Sequence, residues 1–334
     1  MASMPPTRYS VLGTRNSKVG LLTSGWPPVL LPCEAMKTAR FWFDAARPVS
    51  FTAAVVPVVI GTLLAAEDHF SWWKALLALL GSVLILAGTN FVNDYYDHVK
   101  GADNEKSLGR AGLIQQGLVQ PRSMLIAGIV SFALGVAIGL ILCSVTSWQL
   151  LWIGVFSVVA GFLYTGAPIH LAYIGLGELT VFIFMGPVMV LGAYYVQLES
   201  WDWEPVVASI PIGLLVTAIL QANNLRDIDS DRETGKRTIA TMVGRTWANR
   251  EMYVLLWGAY VALIVAVSVR AAPWPALIAL ATAPLVPPIV RIIRAGGSPR
   301  KLNFALLGSA MLHMRFGAVM AAGLGANWII QTIR

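Results

Sequence analysis

Of the 17 acidic residues in this 334-residue chain, four fall at Asp94, Asp97, Asp103 and Glu105, and four at Asp227, Asp229, Asp231 and Glu233. The first cluster reads TNFVNDYYDHVKGAD, and Asn90, Asn93, Asp94 and Asp97 stand at i, i+3, i+4 and i+7. The second reads QANNLRDIDSDRETGKRT, with Asn223, Asp227 and Asp231 at i, i+4 and i+8. On a helix each set forms one stripe, while Asp229 points elsewhere, toward solvent or an arginine. Clustered carboxylates repel one another unless cations bridge them, and all-oxygen ligands select hard divalent ions. Mg²⁺ keeps several waters and usually binds one or two carboxylates together with substrate phosphates. The neighbouring Arg47, Lys100, Arg110, Arg226, Lys236 and Arg237 are suited to the remaining phosphate charge. The pattern predicts a Mg²⁺–diphosphate clamp, with Asn93, Asp97, Asp227 and Asp231 as metal ligands and Asp94 as a ligand or an orienter of one. Asn90 and Asn223 complete the two stripes.

The elements that must hold these stripes are apolar helices. Residues AVILMFWYC make up 57% of the chain, and with the 30 glycines the apolar share reaches about two thirds. Charged residues are 12%, about half the proportion in soluble domains. That composition excludes a soluble fold and a disordered chain, and two cysteines exclude a disulfide scaffold. Windows long enough to cross a bilayer fall at about 48–66, 73–93, 122–143, 148–166, 175–197, 205–225, 249–269, 273–293 and 309–331. Backbone groups in lipid must be bonded within their own segment, so these are helices. The expected fold is all-α: a polytopic bundle of about nine transmembrane helices around a central chamber. Trp72, Trp73, Trp148, Trp201, Trp203 and Trp274 lie near window ends, where interfacial aromatics sit. Gly101 and Gly235 are placed to stop helices.

With the N-terminus inside, 20 of the 24 Lys and Arg residues lie on the inner side; Lys74, Arg270 and Arg334 lie outside and Arg315 within the last helix. Both acidic clusters then end helices on the inner, cytoplasmic face. The net charge of +7 is thus a topology signal and a match to an anionic membrane surface, not a nucleic-acid footprint. Residues 1–39 form an expected flexible cytoplasmic extension ahead of a 40–334 membrane domain. Arg8, Arg15 and Lys18, with no acid before Glu34, give that extension a loose likeness to a transit peptide, which would place the chain in an organelle membrane instead. No obligate protein partner is implied.

The N-D-x-x-D of Asn93–Asp97 and the D-x-x-x-D of Asp227–Asp231 resemble the signatures of the UbiA-type intramembrane aromatic prenyltransferases. ARPVSF (46–51), NDYYDHVKGAD (93–103), QGLVQP (116–121), FLYTGAP (162–168), the run 175–197, NNLRDIDSDRETGKRT (223–238) and LNFALLGSAMLHMRFG (302–317) resemble the 1,4-dihydroxy-2-naphthoate branch of menaquinone biosynthesis. The resemblance implies nine helices, Mg²⁺, and transfer of an isoprenoid from a polyprenyl diphosphate to 1,4-dihydroxy-2-naphthoate, with the tail reaching the lipid bilayer through a lateral opening. The superfamily pattern continues to an acid four residues after Asp97, where this chain has Gly101 and reaches its next acid at Asp103; the longer spacing looks like the naphthoate branch. Tyr164 matches the tyrosine of a Tyr-x-x-x-Lys element found in 4-hydroxybenzoate relatives, but Pro168 replaces the lysine, which weighs against that acceptor. Asp97, Asp103 and Tyr164 are the catalytic candidates, with Asp97 or Asp103 as base for a ring hydroxyl.

Other residues carry more modest expectations. Glu178 is either functional or a helix-start cap. His98 and His170 lack metal-site spacing. His313 and Arg315 are expected to pair or to snorkel. A phytyl donor or a homogentisate acceptor would use the same chemistry. A transporter would place charges near the bilayer midplane, whereas these helix centres are nearly charge-free. A silent, regulatory prenyl binder is disfavoured by the intact N-D-x-x-D.

Overall fold

The computed structural model describes residues 39–101 and 112–333. A short helix, α1 (Ala39–Ala45), leads into nine apolar helices: α2 (Pro48–Ala65), α3 (Trp72–Val99), α4 (Pro121–Val145), α5 (Leu150–Leu163), α6 (Gly177–Leu198), α7 (Glu204–Glu233), α8 (Ile239–Ser268), α9 (Trp274–Ala295) and α10 (Pro299–Ile333). Eight of these are long and apolar enough to span a bilayer. The 14-residue α5 extends only about 21 Å, short of a hydrocarbon core of roughly 30 Å. The chain is an integral, multi-pass membrane protein. The expected helical bundle is therefore present, and the expected extension before residue 39 lies outside the described residues.

Every apolar window became a helix, but several helices outrun their windows. α3 continues to Val99 and α7 to Glu233, carrying both acidic stripes as helix. Hydropathy records what faces lipid, whereas backbone hydrogen bonding continues until a residue leaves the helical region. Gly101 and Gly235 do so just past these ends, at φ +69° and +73°, where a side chain would be strained. α8 begins ten residues before its window, on a capping box between Thr238 and Thr241. α6 widens to a π-turn over Phe184–Val188, where Pro187 offers no N–H to the ladder.

The chain closes on itself because its first and last spans touch. At Gly317 on α10 a Cβ would fall 2.2 Å from Val56 of α2, and at Gly61 on α2 one would fall 2.2 Å from the Val190 carbonyl of α6. These approaches draw α2, α6 and α10 together around a shared interior. The main apolar core, including Ile212, Met252, Leu256 and Phe316, locks α7, α8 and α10. Trp72, Trp148, Trp201, Trp203 and Trp274 are all exposed near helix starts at one end of the bundle, as an interfacial belt requires.

Candidate active site

A cavity of about 520 Å³ opens among α2, α3, α5, α6, α7 and α10. α3 lines it with Asn90, Asn93 and Asp97, and α7 with Asn223, Asp227 and Asp231. The two stripes read from spacing thus meet at one chamber. Arg47, Tyr164 and Lys236 also line it, while Ala53, Leu86, Val181, Met185, Val216 and Leu306 supply apolar wall.

The first stripe is held from outside its helix, and the second by an arginine of its own helix that also reaches α10. The hydroxyl of Tyr173 donates to Asp97 Oδ1 at 2.6 Å. Tyr173 lies in the connection between α5 and α6, which is pinned to the connection between α7 and α8: the Arg237 N–H donates to the Tyr173 carbonyl at 3.3 Å. Lys100 Nζ stands 4.0 Å above the Tyr173 ring and Lys236 Nζ 5.2 Å from its centre. Lys236 also reaches Asp231 Oδ1 at 4.0 Å. Although Lys100 is exposed, partial desolvation of its ammonium holds its pKa below the ordinary value; Asp97 opposes this and the like charge of Lys236 adds to it. Arg226 grips both oxygens of Asp227, at 2.8 and 2.5 Å, and donates to Asn223 at 2.7 Å and to Asn303 of α10 at 2.9 Å. That fork fixes three residues of the wall in one geometry.

The other expected residues divide by position. Asp94 does not line the cavity; it is buried and paired with Arg47, whose φ of +61° aims the connection into α2. In this arrangement Asp94 is paired with Arg47, which itself lines the cavity. The Asn90 amide donates to the Ala46 carbonyl at 2.9 Å and to Ser50 Oγ at 2.8 Å, tying the same connection to α3. Lys100 and Arg237 are exposed and outside the cavity lining. Asp103 and Arg110 lie outside the described residues. Asp229 is exposed and 3.3 Å from Arg245, as expected of it. His313 departs from expectation: it is wholly buried, and among the described residues neither ring nitrogen has a hydrogen-bond partner, so it neither pairs nor snorkels. α10 passes through the core at that point rather than along the lipid. Arg315, two residues on, is exposed.

Sequence reasoning missed Tyr173, Asn224 and Asn303, because nothing in their spacing marks them: each acts across an interface between elements. Glu178, left open as a cap, is 3% exposed and lines the cavity, receiving the Asn224 amide at 2.7 Å.

Among the described residues, no three acidic, histidine or cysteine groups already converge as a closed metal cage. The oxygen donors instead sit on two helices around an open chamber, a donor set that fits a hard ion completed by substrate phosphates.

A bundle of apolar helices around a chamber walled by carboxamide and carboxylate stripes is the architecture of an intramembrane enzyme rather than of a simple membrane anchor. The chain belongs to the UbiA prenyltransferase family, which it matches over residues 54–327. It is 38% identical over 283 residues to a Mycobacterium tuberculosis protein named 1,4-dihydroxy-2-naphthoate octaprenyltransferase, covering 84% of this chain and 95% of that one. A Bacillus subtilis protein of the same name is 32% identical, covering 83% and 90%. A Synechocystis protein named 2-carboxy-1,4-naphthoquinone phytyltransferase is 28% identical, covering 89% and 96%. In fold, the chain is similar to a UbiA homologue from Archaeoglobus fulgidus solved with GPP and Mg²⁺, at TM-score 0.64 and 15% identity over 85% of this chain and 99% of that one. The enzyme class is therefore aromatic prenyltransferase.

Proposed function

We propose that the chain transfers a polyprenyl group from its diphosphate to 1,4-dihydroxy-2-naphthoate with loss of CO₂, giving demethylmenaquinol, at a site on the cytoplasmic face. The observation that carries this reading is that Asn93, Asp97, Asn223, Asp227 and Asp231, from two separate helices, line one chamber whose remaining wall is largely apolar. Asn93, Asp97, Asp227 and Asp231 would hold Mg²⁺. When bound, that ion neutralises the charge developing on the leaving diphosphate, an effect worth several kcal/mol.

The chain's own residues do the rest. Arg47 and Lys236 line the chamber and offer donors to phosphate oxygens. Tyr173 holds Asp97, and Arg226 holds Asp227, in place before substrate arrives. Ala53, Leu86, Val181 and Met185 exclude water from an allylic cation. Tyr164, a phenol that keeps its proton at neutral pH, can donate to an oxygen of the acceptor. The names of the Mycobacterium and Bacillus relatives support the naphthoate acceptor and a long donor. The Synechocystis relative supports phytyl diphosphate as the second donor reading.

The test is an assay of membranes containing the protein, with 1,4-dihydroxy-2-naphthoate, Mg²⁺ and a panel of prenyl diphosphates, read by mass spectrometry. A decarboxylated prenyl-naphthol is expected. Product only with homogentisate or 4-hydroxybenzoate would overturn the acceptor, and silence with every acceptor would overturn the reaction.

A further inference from the structure

A carboxylate buried to 3% exposure is costly to keep unless its position serves something. Glu178 is the second residue of α6, where a cap would be expected to lie at the helix surface. Its carboxylate accepts the Asn224 amide of α7 at 2.7 Å, and the main chain of Glu178 itself and of Ile239 at the start of α8 adds to the stabilisation of its charge, so the residue caps its helix while reaching across to α7. α6 and α7 therefore fix one carboxylate in the cavity wall. Asn224 precedes Asp227 by three residues and Asp231 by seven, so Glu178 contacts α7 roughly 4.5 to 10 Å along its axis from those two carboxylates. Tyr164 belongs to the same part of the wall, its hydroxyl packed against Gly177.

The titratable neighbours of Glu178 are Tyr164 at the end of α5, Lys236 ahead of α8 and Glu251 within α8. Glu251 is bonded to Gln221 at 2.8 Å and is not part of the cavity wall. Lys236 is directed to Asp231 and the Tyr173 ring. A phenol is a poor proton acceptor at neutral pH. Glu178 is thus the wall group with both the chemistry and the placement to receive a proton from a ring hydroxyl.

Resting on the prenyl-transfer reading, we propose that Glu178 is the base that takes the acceptor's hydroxyl proton during attack, in place of Asp97 or Asp103. The donor's C1–O bond breaks and its electron pair leaves with the diphosphate. The O–H proton moves to Glu178, the oxygen's pair forms a carbonyl, and the adjacent ring carbon bonds to C1. Where that carbon carries the carboxylate, the bond to CO₂ breaks and its pair restores the aromatic ring, returning negative charge to the oxygen. Glu178 then gives the proton back, so the step needs no oxidant, reductant or further co-reactant.

Glu178→Gln keeps a carbonyl for the Asn224 amide while removing the base. The experiment uses full-length protein in membranes and a prenyl diphosphate carrying ¹⁸O at the C1–O bridge. Scrambling of the label reports ionisation at C1, and prenyl-naphthol formation reports transfer. In E178Q, transfer is expected to fall on the order of 100- to 10,000-fold while scrambling persists. In Asp97→Asn both should be lost. Wild-type transfer by E178Q would overturn the assignment, as would parallel loss of transfer and scrambling, which marks a structural role. Absence of scrambling and transfer in the unmodified protein would instead break the reading beneath it. Should E178Q fail to insert, Asn224→Ser frees the carboxylate without deleting it: a smaller transfer loss with scrambling intact is expected, and unchanged transfer would contradict the proposal.

Discussion

The two ends of the bundle spend their polar side chains differently. At the end bearing the tryptophan belt, polar groups are consumed in pairs across elements. Asn327 of α10 bonds Glu67 beyond α2, and Gln197 of α6 bonds both main-chain groups of Ser71 ahead of α3. Gln149 ahead of α5 accepts from Tyr195 at 3.1 Å and Trp201 at 2.8 Å, and Tyr194 donates to Asp202 at 2.8 Å. At the other end, carboxylates and amides line a chamber, and the residues that bond them stand around it rather than across it. One end is stapled by cross-element pairs, and the other carries its polar groups on the wall of a chamber. The same hydrogen-bond chemistry gives stability when partners face each other and a ligand site when they face a void.

The comparison can be tested by disturbing each end in turn. The largest effect should come from removing metal: excess EDTA is expected to suppress turnover on the order of 100-fold or more, with recovery on adding Mg²⁺, and turnover that ignores the chelator would break the site-end half of the contrast. Next is Tyr173→Phe, which deletes the hydroxyl holding Asp97. A loss of roughly 10- to 100-fold in activity or apparent Mg²⁺ affinity is expected from a Mg²⁺ titration of turnover, with melting temperature little changed. Gly61→Leu belongs to neither end; its side chain would meet the Val190 carbonyl, and a stability loss of about 1–3 kcal/mol is expected. At the stapled end, Asn327→Leu leaves the Glu67 carboxylate without its amide. Because Glu67 is exposed and water can replace the amide, it should cost only about 0.5–1.5 kcal/mol of stability, seen as a lower melting temperature in detergent, while turnover per folded molecule stays normal. A fall in turnover with unchanged stability would reverse the assignment of that end. The smallest effect should be at Gly139, inside α4, where a Cβ meets nothing within 4 Å, so Gly139→Ala is expected to raise stability by about 0.5–1 kcal/mol through helix propensity alone.

Much of this was legible in the residues. Apolar length alone located the eight helices long enough to span and the shorter α5 among the described residues, since lipid contact and helix length are tied by bilayer thickness. Asn223, Asp227 and Asp231, at a strict four-residue spacing, all reached the cavity. In the first stripe, Asp94 sits one residue after Asn93, about 100° around the helix, and its face was decided by Arg47 from 47 residues away. Periodicity cannot see such a partner. Tyr173 and Asn224 were hidden for the same reason. Glu178 was visible as an acid in an apolar run, but only the approach of α7 to α6 shows that this cap is also a buried wall group.

The account turns on the two stripes acting as one clamp. The most direct measurement is prenyl transfer in membranes by Asp97→Asn, Asp231→Asn and the double variant, with protein quantified by immunoblot. Each single change is predicted to lower turnover on the order of 100-fold or more without reducing insertion, and the double variant to be much less impaired than the product of the two losses. Near-normal turnover in both single variants, or losses that multiply as for independent sites, would contradict a shared clamp.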